Sequence, residues 1–304
     1  MRILLQFPEG LKKDAASEAE KLQREGHEVF VSSSACFGAC DLCVEEAKKT
    51  GAKKIIHFGH ADFLGKRKVE GIEVEYREVR VDVGKELIER IEKALVKYGK
   101  VAIVSTVQHA HEIGRVKEAL ERAGHRVFVK RGGAHTKYMG QILGCDALSA
   151  EKGAKKADCV LYIGSGLFHP SAIRADLPIF GANPYSGEVR RLNEEIEKFA
   201  RKKKGALISA ANAKTFGIFV STKIGQFNLK GALEAKRRLE KEGKKVLVLV
   251  SNEISPSALS NFNIFGAYIN TACPRIADDV ELYGKPIVNL REIGELLKIV
   301  RAMK

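Results

Sequence analysis

The residues best able to do chemistry in this chain are its cysteines, at positions 36, 40, 43, 145, 159 and 273. Six in 304 residues are too few for a disulfide scaffold. In a reducing compartment such thiols read as ligands for a metal or an iron–sulfur cluster. Cys36 lies in Ser34-Ala35-Cys36-Phe37-Gly38, Cys145 in Gly140-Gln141-Ile142-Leu143-Gly144-Cys145-Asp146, and Cys273 in Asn270-Thr271-Ala272-Cys273-Pro274-Arg275. Gly38, Gly144 and Ala272 let a bulky inorganic group approach the backbone. Three thiolates on a four-iron cluster leave one iron open to a substrate, whereas four favour plain electron transfer. A lone cysteine is usually a small buried hydrophobe. Three in matching loops argue for ligation.

The loops match because the chain repeats itself. Residues 3–31 align without a gap with residues 101–129, and both finish Gly-His-(Glu/Arg)-Val-Phe-Val; residues 218–250 form a third copy after a short insertion. Each copy reads as a β-rich run, a polar loop, an amphipathic helix, a glycine stop and a second β-rich run. A third β-rich segment follows in Gly51–Phe58, Cys159–Ile163 and Phe265–Asn270, and a further strand near 72–79, 178–181 and 285–288. Strands alternating with helices predict parallel sheets covered on both faces. The expected fold is α/β, three small Rossmann-like domains over 1–99, 100–213 and 214–304, related by a pseudo-threefold around a central cavity. Ligands in such sheets bind beyond the carboxyl ends of the strands. Cys36 and Cys145 follow the second strands of their repeats and Cys273 the third strand of its own, so each repeat offers one thiol at such an end.

Cys36, Cys40 and Cys43 also spell C-x3-C-x2-C, the loop of conventional radical S-adenosylmethionine enzymes. That motif belongs after the first strand of a (β/α) barrel, and here it follows the second strand of a repeat. The stretch Asp41–Lys49 has helical character, which would carry Cys40 and Cys43 onto one face as packing residues. Cys159 reads as strand core.

Composition bounds the rest. The net charge is +14, with Arg201-Lys202-Lys203-Lys204 as its densest run, which raises nucleic acid or an acidic partner and, more plainly, solvated helix faces. Nucleic-acid recognition motifs are missing and aromatics are sparse, so no direct nucleic-acid role is expected. No apolar run reaches the roughly 18 residues of a membrane span. The first residues read as a strand rather than a signal peptide, and a cytoplasmic location is expected.

In order along the chain, Leu5-Gln6-Phe7-Pro8-Glu9-Gly10-Leu11, Cys36-Phe37-Gly38-Ala39-Cys40-Asp41, Phe58-Gly59-His60-Ala61, Gly140-Gln141-Ile142-Leu143-Gly144-Cys145, Phe168-His169-Pro170, Asn183-Pro184-Tyr185, Lys223-Ile224-Gly225-Gln226 and Cys273-Pro274-Arg275-Ile276-Ala277-Asp278-Asp279 resemble the archaeal diphthamide-synthesis enzymes. These are the 2-(3-amino-3-carboxypropyl)histidine synthases. The resemblance spans almost the whole chain. It implies a homodimeric transferase with a [4Fe-4S] cluster on Cys36, Cys145 and Cys273. It further implies cleavage of S-adenosylmethionine at the bond from sulfur to the γ-carbon. The resulting 3-amino-3-carboxypropyl radical adds to a histidine of translation elongation factor 2, the first step of diphthamide biosynthesis, with an electron donor as a further partner. Cys43 departs from the family pattern.

Physical chemistry adds roles at the remaining motif residues. The loop containing Lys223, Gly225 and Gln226 offers amides and a cation to S-adenosylmethionine at a strand end. Arg275 suits a carboxylate clamp, or else an ion pair with Asp278 or Asp279. His60 and His169 sit at corresponding strand ends and read either as groups that position the target imidazole or as structural histidines. No spacing among His109, His111 and His135 forms a metal site. Two other readings compete: another three-cysteine cluster enzyme of the quinolinate synthase type, and a basic module that binds RNA or ribosomes.

Overall fold

Each repeat folds around its own first strand. In the computed structural model, which describes residues 1–303, β1 (Arg2–Gln6) pairs in parallel with β2 (Glu28–Val31) on one side and β3 (Lys54–Phe58) on the other. Beyond β3, β4 (Lys68–Val69) forms the antiparallel edge of the parallel strand β5 (Ile72–Arg77). The second sheet repeats the plan: β6 (Lys100–Ser105) lies between β7 (Arg126–Phe128) and β8 (Cys159–Ile163), with β9 (Ile179–Ala182) parallel and β10 (Val189–Arg191) antiparallel. The third has β11 (Thr215–Ser221) between β12 (Lys245–Ser251) and β13 (Ala267–Asn270), followed by β14 (Ile287–Asn289), all parallel. The main strands of every sheet therefore run second, first, third, fourth. That order reverses direction between the first and third strands, and the crevice at their carboxyl ends is where a ligand belongs.

Helices cover the sheets because their apolar residues recur at helical spacing. In the first two repeats these are α1 (Ala15–Arg24), α2 (Val44–Thr50), α3 (Lys85–Leu95), α4 (Ile113–Arg122) and α5 (Leu148–Ala154). The long α6 (Asn193–Ala211) leads into the third repeat, whose helices are α7 (Leu229–Glu240), α8 (Pro256–Leu259), α9 (Val280–Tyr283) and α10 (Ile293–Ala302). Leu87, Ile88, Ile91 and Leu95 of α3 and Ile113, Val116 and Leu120 of α4 bury one face of each helix against β6 and β8. Each such side chain contributes about 1.5–3 kcal/mol of transfer free energy. The glycine stops do what the repeat predicts: Gly26, Gly124 and Gly243 follow α1, α4 and α7 with φ of 83°, 92° and 79°. An L side chain at those left-handed positions would be strained.

The chain divides into two compact units, Met1–Asn193 and the segment from Glu194 onward. The first holds two sheets and the second holds the third sheet with α6. No helix among the described residues is long and apolar enough to cross a membrane.

Candidate functional site

The loop after β2 carries Cys36, which is buried. It is not helical until Val44, so Cys40 and Cys43 precede α2 rather than sitting on its successive turns. The helix expected over Asp41–Lys49 thus starts late, and hydrogen bonds explain why. The Asp41 carboxylate accepts from Phe37 N at 3.3 Å, and Asp41 N donates to Gly38 O at 2.9 Å, which closes a tight turn. Gln6, the last residue of β1, donates through Nε2 to Asp41 O at 2.6 Å and accepts from Cys43 N at 3.3 Å. These bonds hold 36–43 as a loop over the end of the sheet. Burial, followed by the charge of Glu46, pushes the Cys43 thiol well above its usual range. Burial, followed by Asp158, pushes Cys159 up to about 12. Both are therefore held as thiols in the metal-free chain.

Gln6 also reaches the crevice between β1 and β3. Its Oε1 lies 2.9 Å from His57 Nδ1, and His57 Nε2 lies 2.9 Å from His60 Nδ1. Since Gln6 Nε2 is committed to a carbonyl, Oε1 is the acceptor and His57 Nδ1 carries its proton. His57 Nε2 then holds a lone pair, and His60 Nδ1–H is the donor in the second contact. Burial lowers His57 to about 3, helped by the neighbouring His60. Burial also lowers His60 to about 4, against a raising contribution from the Phe58 carbonyl. Both rings are neutral near pH 7. Gly59 makes the pair possible: its φ is +81°, and a Cβ there would lie 2.9 Å from Leu11 Cδ1.

Cys145 is exposed in the long loop between β7 and α5. That loop returns along β6, with Ile142 N donating to Ser105 O at 2.9 Å. Within this unit the strand-end loops of the first two repeats meet. Gln108 Nε2, past β6, donates to Gly59 O at 3.1 Å. Phe63 and His135 stack at 4.0 Å, and His135 Nδ1 lies 2.9 Å from Phe63 O. His169 lies past β8 beside Phe168, edge to face at 5.1 Å. His109 Nδ1 is 2.8 Å from Val81 O, while His111 stands between Asp82 and Glu112, the latter already paired with Arg115.

In the second unit, Cys273 follows β13 and precedes a 3-10 turn, Pro274–Asp279. Asn270, the last residue of β13, fixes it. Its Nδ2 donates to Cys273 O at 2.7 Å and to Asn289 Oδ1 at 2.9 Å, and its Oδ1 accepts from Ala272 N at 3.1 Å. Thr271 Oγ1 donates to Phe219 O at 2.5 Å. The loop with Lys223, Gly225 and Gln226 begins where β11 ends. Ser221 Oγ donates to Asn252 O and accepts from Lys223 N, both at 3.2 Å, and Gln226 N donates to Lys223 O at 2.9 Å. Lys223 and Cys273 thus leave the first and third strands of this sheet, on either side of its switch point. Of the two sequence readings for Arg275, the ion pair is present: its guanidinium meets Asp278, and both side chains are buried. Lys203 bonds the same carboxylate at 2.9 Å, and Lys202 bonds Glu281 at 2.8 Å. Half of the basic run of α6 is therefore spent on internal acids.

The ligand-loop cysteines, the buried cation at Lys223 and the paired Arg275 all stand at strand carboxyl ends. Sequence reasoning assigned no role to Gln6, His57 or Asn270, the polar residues that hold those loops.

Residues 7–304 match the family of diphthamide synthesis proteins. The chain is 34% identical over 299 residues to the 2-(3-amino-3-carboxypropyl)histidine synthase of Pyrococcus horikoshii, covering 97% of this chain and 85% of that protein. It is 29% identical over 315 residues to the synthase of Methanocaldococcus jannaschii, covering 98% and 84%. The crystal structure of Dph2 from Pyrococcus horikoshii with a 4Fe-4S cluster superposes with a TM-score of 0.87 at 33% identity, over 98% of this chain and 86% of that one.

Proposed function

This chain belongs to the diphthamide synthesis protein family, whose relatives above are transferases of an aminocarboxypropyl group, and we propose that it carries the 3-amino-3-carboxypropyl group of S-adenosylmethionine to a histidine of translation elongation factor 2. Membership in this family favours that reaction over a quinolinate synthase type of enzyme and over an RNA-binding module. On this reading the chain is organised as three α/β repeats over 1–99, 100–213 and 214–304, acts in the cytoplasm as a homodimer, and draws its electron from a separate donor.

The donors suit a [4Fe-4S] cluster. Cys36, Cys145 and Cys273 each occupy a strand-end loop, whereas Cys159 is fully buried within β8. Cys36, Cys145 and Cys273 would hold the cluster, which when bound supplies one electron to the sulfonium and keeps one iron open.

The chain's own residues do the orienting. Asn270 holds the Cys273 loop, so the thiol is presented by a rigid element rather than a mobile one. Arg275, aligned by Asp278, and the loop of Lys223, Gly225 and Gln226 receive the carboxylate and amine of the methionine moiety. Held there, the amino acid part does not chelate iron, and the bond from sulfur to the γ-carbon is the one that breaks. Misplacement by about 1 Å in such a site costs on the order of a hundredfold in rate.

The observation that carries this reading is one cysteine per repeat at a strand carboxyl end. The deciding experiment reduces the reconstituted protein with dithionite and identifies the nucleoside released from S-adenosylmethionine. Methylthioadenosine is expected, with Arg275→Ala lowering its yield while the iron content stays. A main product of 5′-deoxyadenosine would reject this orientation and return Cys36, Cys40 and Cys43 to the conventional motif.

A further inference from the structure

From the side chains between β1, β3 and the loop after β2, we infer that Cys36, His57 and His60 form a mononuclear site for a borderline divalent ion of the Zn2+ class, filled when the protein lacks its cluster. One ligand atom from each of the three lies within 4.8 Å of the others. Tetrahedral zinc with about 2.3 Å to sulfur and about 2.0 Å to nitrogen needs ligand separations of roughly 3.3–3.7 Å. Closing the site asks for a shift of about 1 Å, within the reach of side-chain rotation in the Gly38-containing loop.

The protonation pattern already suits a metal. His57 Nε2 and His60 Nδ1 face one another at 2.9 Å with a single proton between them. A divalent ion replaces that proton and pushes the two nitrogens a few tenths of an ångström apart. His57 keeps its outer N–H on Gln6 Oε1 at 2.9 Å, the arrangement in which a ligating imidazole is oriented by a carbonyl behind it. Gln6 is itself anchored on Asp41 O and Cys43 N, the same loop that carries Cys36. One thiolate and two imidazoles form a soft-to-borderline donor set, with a fourth position for water. The ion carries two positive charges and meets one thiolate, so the filled site has net charge +1. One proton, that of Cys36, leaves to solvent, while His60 stays a neutral imidazole by carrying its proton on Nε2 instead of Nδ1.

The consequence is competition. Cys36 cannot serve this ion and a cluster together, so a zinc-loaded chain resists cluster assembly. That consequence rests on the proposed cluster reading, while the site itself does not.

The test uses the full chain, reduced, anaerobic and freed of iron, titrated with Co2+. One equivalent is expected to bind, with the visible bands of a tetrahedral centre and a thiolate-to-cobalt charge-transfer band, and one equivalent of Zn2+ should bleach both. Cys145→Ala and Cys273→Ala should bind as the parent does. Cys36→Ala should lose the charge-transfer band, and His60→Gln should weaken binding at least tenfold. Gln6→Leu should weaken it by about tenfold to a hundredfold. Far-UV circular dichroism checks that each variant is folded, and His60, in a loop that is only partly buried, is the variant to rely on. An unchanged charge-transfer band in Cys36→Ala, or parental affinity in His60→Gln, overturns the proposal. Failure of the cluster reading looks different: Cys145→Ala would then take up a full cluster while the Co2+ results stand.

Discussion

Replacing Asn270 by Ala tests whether the third ligand loop is held by its neighbours or by the thiol's partners. Asn270 is 2% exposed and makes hydrogen bonds to Cys273 O, from Ala272 N and to Asn289 Oδ1. A net hydrogen bond is worth about 1 kcal/mol, and a buried partner left without one costs about 1–3 kcal/mol. Asn289 Oδ1 keeps the Glu292 amide of its capping box and Cys273 O keeps Ile276 N, so the loss is that of three net hydrogen bonds rather than of a stranded acceptor. Adding these gives roughly 3 kcal/mol of lost stability, with a few tenths returned if the loop relaxes toward water. For a unit of this size that is a fall of about 10 °C in the transition that reports the third sheet. The assay is a urea titration by far-UV circular dichroism, with amide hydrogen exchange along β13 to localise the loss. Asn270→Asp is the control, because it keeps the acceptor for Ala272 N and loses both donations. It should fall between the parent and the alanine variant. Under the proposed function the same variant also binds less iron although every thiol is intact. Stability within about 0.5 kcal/mol of the parent would show that the loop is fixed by something other than Asn270.

Two shorter predictions follow from exposure and from assembly. In cluster-free protein at pH 8, iodoacetamide should label exposed Cys145 first, while Cys43 and Cys159, buried and held as thiols, react only after unfolding; mass spectrometry of the digest reads this, and early labelling of Cys159 would contradict the burial argument. Light scattering at micromolar concentration should give the mass of a homodimer, and a monomer across that range would remove the subunit arrangement proposed above.

What local sequence can and cannot encode is visible in where the expectations held. The repeats were legible because alternating and helical periods are local, and so are the glycine stops. Each sheet then adopts the same strand order. The loop around Cys40 was misread as helix for the opposite reason. Its conformation depends on Gln6, more than thirty residues away in sequence and bonded to Asp41 O and Cys43 N. Helical propensity over 41–49 cannot register such a bond, and tertiary hydrogen bonding outweighs it. Arg275 stayed ambiguous because its partners are distributed. Asp278 is three residues on, but Lys203 comes from a basic run that reads as solvated until α6 is placed. A usable signal was nonetheless present. Gln6, Ser105, Ser221, Asn270 and Asn289 are the last residues of β1, β6, β11, β13 and β14, and His57 is the penultimate residue of β3. All six are buried. A strand covered on both faces has reason to be apolar throughout, and a buried polar group is costly unless something accepts its hydrogen bonds. Polar residues that recur only at the carboxyl ends of apolar strands therefore mark the end of the sheet that holds the loops, and they identify the residues that do the holding.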